Sequence, residues 1–281
     1  MLPRRSYPAG VPCWIDLIQP NPDATAAFYR DLFGWSYEVR TPEDAPASYA
    51  YARLDGLVVA AVGGPPRGTE PTGWTTYVTV ESADETAARV TSNGGTLLSS
   101  PDDIPRAGRG ATCLDPFGAA FGVWQPGDLK GVELVNAPGS WNFSILDVDD
   151  PSAAQDFYGS VFGWRSSPLE VGGFEETWML RVEGYGDFLA DSDPEIREMQ
   201  AAGGGPEGFV DAVALLARGG GPASWGTTFA VADADAAFAR ATELGARAVT
   251  PLFDTAYTRQ GTVEDPQGAV LTLSEYRPPD A

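Results

Sequence analysis

The sequence predicts an α+β protein built from four βαβββ modules arranged in two pairs. Two internal repeats carry that prediction. The line Ala27-Phe28-Tyr29-Arg30-Asp31-Leu32-Phe33-Gly34-Trp35 returns 129 residues later as Asp156-Phe157-Tyr158-Gly159-Ser160-Val161-Phe162-Gly163-Trp164. That period is far longer than the roughly 20–50 residues of a solenoid unit, so it marks a duplicated domain. The turn Asp115-Pro116-Phe117-Gly118 has a counterpart 150 residues on, in Asp265-Pro266-Gln267-Gly268. Between these landmarks, strand-like and helix-like stretches follow one another in the same order.

Residues 11–18 read as a strand. Asn21-Pro22-Asp23 supplies a cap and turn, and Ala27, Phe28 and Leu32 fall at helical spacing up to Gly34, a fitting C-terminal stop. Strands follow at 35–39, 48–54 and 57–62. The second module opens with the alternating strand Trp74 to Val80. Its helix begins at Ser82-Ala83-Asp84-Glu85 and ends before Asn93-Gly94-Gly95, and strands follow near 96–99, 110–115 and 119–124. The third module has a strand at 141–146, a helix at 151–162 and strands near 164–168, 177–182 and 186–190. Glycine-rich loops through Gly203-Gly204-Gly205 and Gly219-Gly220-Gly221 lead to the fourth, with a strand at 225–231 and a helix at 234–244 closed by Gly245. The predicted division is a domain at 1–129, with modules at about 11–64 and 73–126, and a domain at 130–281, with modules at about 139–191 and 223–277. A Gly-, Pro- and Asn-rich linker spans 127–139.

The 281 residues are 43% hydrophobic and 20% charged, a globular balance with enough chain for two cores. The net charge of -21 opposes binding to nucleic acid phosphates or anionic membranes, and its simplest role is solubility. Cys13 and Cys113 are too few for a disulfide framework, so a reduced, cytoplasmic protein with buried thiols is expected. Met1 to Arg5 is basic but is followed by no apolar signal core. The most apolar stretch, Leu54 to Val62, is far short of the ~20 residues of a membrane helix. The chain has no histidine, which removes Ser-His-Asp and Cys-His catalysis. The glycine runs lack the spacing of a phosphate-binding loop.

The paired βαβββ plan, the Phe-Tyr…Phe-Gly-Trp helix end and the Asp-Pro-x-Gly hairpin resemble the vicinal oxygen chelate superfamily of glyoxalase I, bleomycin-resistance proteins and extradiol dioxygenases. The opening Val11-Pro12-Cys13-Trp14-Ile15-Asp16-Leu17 is similar to tandem-domain, glyoxalase-like members common in actinobacteria. The resemblance covers residues 10–126 and 139–277 and implies that each pair of modules curls around one cavity. It also implies metal-ligand positions on the first strand of each module and on the last strand of the second. Counted from the repeated motifs, these are Trp14, Thr75 and Gly122 in the first half, and Phe143, Gly226 and Thr272 in the second. None is a usual ligand, so no metal and no cofactor is expected.

Strand alternation collects Trp14, Asp16, Thr75, Tyr77, Thr79, Gly122 and Trp124 on one face, with Trp35, Tyr37, Tyr49, Tyr51 and Arg53 as candidates to join them. An aromatic wall with one acid suits a planar small molecule. Trp35 and Trp164 equally fit helix-end anchors in the core, and Trp74 and Trp225 fit fold features. Asp16 can pair with Arg53, anchor a ligand cation, or act with Tyr77 in proton transfer. The second face would hold Phe143, Ile145, Asp147, Gly226, Thr228 and Thr272, with either Trp178 or Met179 facing inward.

The expected function is metal-independent binding of a small molecule, with sequestration of an aromatic or cationic natural product as in resistance-type members. The alternatives are a metal-free enzyme of secondary metabolism using Asp16 and Tyr77, and an interaction protein without ligand. The expected state is a monomer or homodimer.

Overall fold

The computed structural model describes residues 3–42, 45–65, 73–172, 174–198 and 206–277. Met1, Leu2 and the loop glycines Gly203 to Gly205 lie outside them.

Each half of the chain makes one mixed sheet. The first half supplies β1 (Pro12–Ile18), α1 (Pro22–Phe33), β2 (Ser36–Val39), β3 (Ser48–Leu54), β4 (Leu57–Gly64), β5 (Trp74–Thr79), α2 (Ala83–Ser92), β6 (Thr96–Leu97), β7 (Asp102–Ile104), β8 (Gly108–Leu114) and β9 (Ala120–Pro126). Its strand order is β2-β3-β4-β1-β5-β9-β8-β6, with β7 on β8. The second half supplies β10 (Trp141–Val148), α3 (Pro151–Phe162), β11 (Arg165–Pro168), β12 (Thr177–Arg181), α4 (Tyr185–Ser192), a 3-10 turn at Phe209–Asp211, β13 (Ala212–Arg218), β14 (Ser224–Ala230), α5 (Ala234–Glu243), β15 (Arg247–Asp254), β16 (Thr258–Glu264) and β17 (Val270–Tyr276). Its order is β11-β12-β13-β10-β14-β17-β16-β15. In both sheets an antiparallel pair at the centre, β1 with β5 and β10 with β14, joins the two modules. Both sheets curl into half-barrels.

The helix ends follow from local sequence. The Asn21 and Asp150 side chains accept from the amides of Ala24 and Ala153, and Pro22 and Pro151 follow, preset for the first turn. Gly34 and Gly163 close these helices at φ 77° and 74°, a left-handed conformation that costs glycine little. The structure corrects the third module. Residues 185–192 form a helix, not a strand, because Tyr185, Phe188 and Leu189 fall at helical spacing. The strand that completes the module is β13, a buried apolar run beside the central β10.

The helix-side cores cross between halves. One cluster joins the first module, with Trp74 of the second, to the fourth through Tyr29, Trp35, Phe229, Leu271 and Leu273. The other joins the second module to the third, with Trp225 of the fourth, through Val90, Phe121, Tyr158, Trp164 and Leu180. The repeated motif supplies the polar part of both. Trp35 Nε1 donates to the Gly139 carbonyl at 2.8 Å, and Trp164 Nε1 donates to that of Gly10 at 2.6 Å. Tyr29 Oη donates to Asp265 Oδ2 and accepts from Trp74 Nε1, both at 3.1 Å. Tyr158 Oη repeats this with Asp115 Oδ2 and Trp225 Nε1, both at 2.9 Å. The turn aspartates are held ready by their own backbone. Asp115 Oδ1 accepts from the amides of Phe117 and Ala119, and Asp265 Oδ1 from those of Gln267 and Ala269.

Candidate functional site

On the first sheet, the Trp74 side of β5 meets helix α1 through Tyr29. Alternation therefore puts Thr75 and Tyr77 on the opposite face. Asp16 pairs across from Thr75 and Trp14 from Tyr77, so all four share this face, with Gly122 beside Tyr77 on β9. On β3, Tyr51 is in register with Ala61 and Tyr49 with Gly63, while β4 sets Ala61 against Asp16.

A hydrogen-bonded cluster results. Trp14 Nε1 donates to Tyr49 Oη at 3.1 Å, and Tyr49 Oη donates to Asp16 Oδ2 at 2.9 Å. Tyr77 Oη donates to the same carboxylate oxygen at 3.2 Å. Asp16 is 5% exposed, whereas the three phenol rings of Tyr49, Tyr51 and Tyr77 are half-buried. Burial, reinforced by the adjacent Asp16 carboxylate, holds the Tyr49 phenol well above its usual range, so it remains a donor. Tyr51 meets Trp14 edge-on, with ring centroids 5.3 Å apart.

Missing side chains make the cluster possible. The ring of Tyr49 crosses β4 to reach β1, and a Cβ on Gly63 would lie 2.8 Å from Tyr49 Cδ2. A Cβ on Gly122 would lie 1.9 Å from Tyr77 Cδ1. Tyr77 thus occupies the space in which any side chain at position 122 would stand.

The sequence-predicted residues separate into those that join this cluster and those that do not. Trp14, Asp16, Tyr51, Thr75, Tyr77 and Gly122 share the face. Trp124, on the same phase of β9, donates its Nε1 to the Leu129 carbonyl of the segment leading out of the sheet, and Gly108 and Gly110 lie against its ring. Trp35 is 1% exposed and stacks on Tyr29 in the crossed core, because β2 has the opposite phase from the expected one. Glu38, not Tyr37, stands opposite Tyr51. Arg53 pairs with Glu38 at 2.6 Å, while Asp16 takes its hydrogen bonds from phenols. Glu38 and Arg40 are the residues that sequence reasoning missed. The signal available was the alternation Glu38, Arg40 on a strand whose neighbour carries Tyr49 and Tyr51.

The second face is different. Phe143 stacks on Phe209 with centroids 6.1 Å apart, and Ile145, Leu169, Met179 and Leu215 pack around them. Met179 therefore faces this side and Trp178 packs toward the helices, which settles the phase of β12. Ile145 and Gly226 stand where the first half has Asp16 and Thr75. Thr272 Oγ1 lies 3.0 Å from Thr262 Oγ1, beside Thr228. A cavity of about 120 Å³ is lined partly by Phe143, Phe209, Trp141 and Tyr185. Another, of about 490 Å³, lies between the N-terminal segment and α4, against Arg4, Phe188, Leu189 and Ile196. Cys13 and Cys113 are both buried, and burial pushes each thiol up to about 12.

The residues at the six positions that the resemblance assigns to metal ligands do not fit a metal ion. Trp14, Gly122, Phe143 and Gly226 offer no donor side chain, and the Tyr77 ring fills the space at 122. Among the described residues, no group of three or more Cys, Asp or Glu side chains has an arrangement suited to holding one. No helix among them is long and apolar enough to cross a membrane.

Comparison with known proteins agrees with this architecture. The family model of the glyoxalase/bleomycin resistance protein/dioxygenase superfamily matches residues 13–123, and that of the glyoxalase-like domain matches residues 144–274. CFP32 of Mycobacterium tuberculosis (strain CDC 1551 / Oshkosh), named as a candidate glyoxylase, is 32% identical over 283 residues, covering 99% of both chains. The anthracycline biosynthesis protein DnrV of Streptomyces peucetius is 33% identical over 285 residues, covering 96% of this chain and 95% of its own. Among solved structures, the Mn(II)-bound glyoxalase from Novosphingobium aromaticivorans superposes with a TM-score of 0.59 at 16% identity. That match covers 98% of this chain and 83% of the other, a likeness of fold.

Proposed function

The chain belongs to the glyoxalase/bleomycin resistance protein/dioxygenase superfamily, and we propose that it binds a ring-bearing small molecule on the phenol face of its first half without a metal ion. One observation carries this reading: Tyr49, Tyr51 and Tyr77 stand half-buried around a buried Asp16 and Trp14. Partly exposed aromatic rings offer stacking area, and a fixed polar floor orients what stacks on them. The name of the relative DnrV, an anthracycline biosynthesis protein, favours an aromatic natural product as the ligand class.

The test is tryptophan quenching and calorimetry with a panel of polycyclic aromatics, on protein whose metal content is measured by elemental analysis. Micromolar binding to metal-free protein is expected, weakened tenfold or more by Tyr51→Ala, equivalent to about 1.4 kcal/mol. The reading fails if no aromatic compound binds below millimolar, or if binding requires one transition metal ion per chain.

Proton transfer is a second reading, favoured by the 3.2 Å contact between Tyr77 Oη and Asp16 Oδ2. It requires Asp16→Asn to abolish turnover of a bound compound while leaving its affinity largely intact.

A further inference from the structure

The charges at the rim of the phenol face form an ordered chain. Glu133, on the segment between the two sheets, accepts from the Val58 amide at 2.8 Å and donates its own amide to the Val58 carbonyl at 2.6 Å. Its carboxylate lies 3.7 Å from Arg53 Nη1. Arg53 binds Glu38 Oε2 through Nε at 2.9 Å and Nη2 at 2.6 Å. The other Glu38 oxygen takes Arg40 Nη1 at 2.5 Å. Arg40 then lies over the Tyr51 ring, with Cζ 4.9 Å from the centroid.

Two consequences follow. Both oxygens of Glu38 are engaged by arginines, so the chain ends on the cation. The Arg40 side chain is 48% exposed, with Nη1 on Glu38 and the guanidinium also hydrogen-bonded to the Tyr51 side chain. The second consequence concerns the π face of Tyr51. A cationic ligand stacking there would compete with Arg40 for the same ring and be repelled by it, whereas an anionic one would meet the exposed guanidinium edge. The buried Asp16 does not reverse this, because it is 5% exposed and its Oδ2 already takes the Tyr49 and Tyr77 hydroxyls.

We propose that the ligand is an aromatic anion, a planar ring system bearing a carboxylate or an ionised phenol, gripped by Arg40, with Glu133 as a positioning residue that acts through Arg53 and Glu38. This rests on the reading of the phenol face as a binding site, and it narrows the ligand from aromatic or cationic to aromatic and anionic.

The test uses two probes with one ring system and opposite charge, 9-anthracenecarboxylate and 9-(aminomethyl)anthracene. They are titrated at about 0.15 M salt, where the field of the chain's net charge is screened beyond about 8 Å. The carboxylate is expected to bind tenfold or more tightly than the amine. Arg40→Gln should bring the two within twofold, and Glu133→Gln, which keeps an acceptor for the Val58 amide, should cut the ratio by about half. Circular dichroism of both variants confirms the fold. Equal or tighter binding of the amine, or a ratio unchanged in Arg40→Gln, overturns this proposal and leaves the binding site standing. Binding of neither probe, nor of any other aromatic compound, overturns both.

Discussion

Tyr29 Oη donates to Asp265 Oδ2 across 236 residues of sequence, and Tyr158 Oη makes the same bond to Asp115 Oδ2 in the mirror position. Each half lends a helix tyrosine to the other half's hairpin. The duplicated line that announces the domain repeat is thus also the device that fastens its two copies.

Tyr29→Phe tests that device. The ring keeps its stacking on Trp35, while Asp265 loses one buried hydrogen bond and Trp74 Nε1 loses its acceptor. A loss of about 1.5–3 kcal/mol is expected for a bond to a charged group. Tyr158→Phe should cost a similar amount, and the two should add, since they share no partner. Urea unfolding of the single and double variants measures both.

Gly122→Ala is expected to be disproportionately harmful, because its Cβ would enter the Tyr77 ring. Overpacking of this kind costs about 1–3 kcal/mol. The double variant Gly122→Ala, Tyr77→Ala should recover part of that loss, giving a favourable coupling in a double-mutant cycle. Equal effects with and without Tyr77 would refute the steric account.

Asp147 has a raised pKa caused by desolvation, and it makes no hydrogen bond among the described residues. Its folded form holds the proton more tightly than the unfolded chain does. Stability from this group is therefore greatest below the unfolded value of about 3.9 and falls as pH rises through the folded value. Asp147→Asn should be more stable than the wild type at pH 7, and the gap should close near pH 3.5. Chemical denaturation across this range reads the difference curve directly.

Cys13 and Cys113 should resist thiol reagents at pH 8 in the native protein, where a pKa of about 12 leaves roughly one thiol in ten thousand ionised. Both should react readily in denaturant. Native labelling at the rate of a free thiol would show that one of them is accessible.

The modules were legible because their signals are local and repeated: the capped helices, the Gly34 and Gly163 stops and the two Asp-Pro turns each act within a few residues. Trp14, Asp16, Thr75, Tyr77 and Gly122 were legible together because alternation and the antiparallel register of β1 and β5 fix their face. The phase of β2 was not. A four-residue edge strand, Ser36-Tyr37-Glu38-Val39, has too little alternation to choose between Tyr37 and Glu38. The fourth strand of the third module was missed because a continuous apolar run, Ala212 to Leu216, carries no period of two. Glu133 was invisible for another reason. Its role comes from where the connecting segment crosses Val58 and Arg53, which no local pattern encodes.

The crossed cores have a consequence for how the molecule can be divided. Cut after Ala137, each fragment would keep its own sheet but expose the face that the other fragment covers, since α1 packs beside α5 and α2 beside α3. The fragments should be insoluble or molten when made separately and should reconstitute by complementation when co-expressed. In that respect the chain is a two-subunit assembly whose partners were tethered, and the tether fixes their stoichiometry and lets the two faces specialise independently.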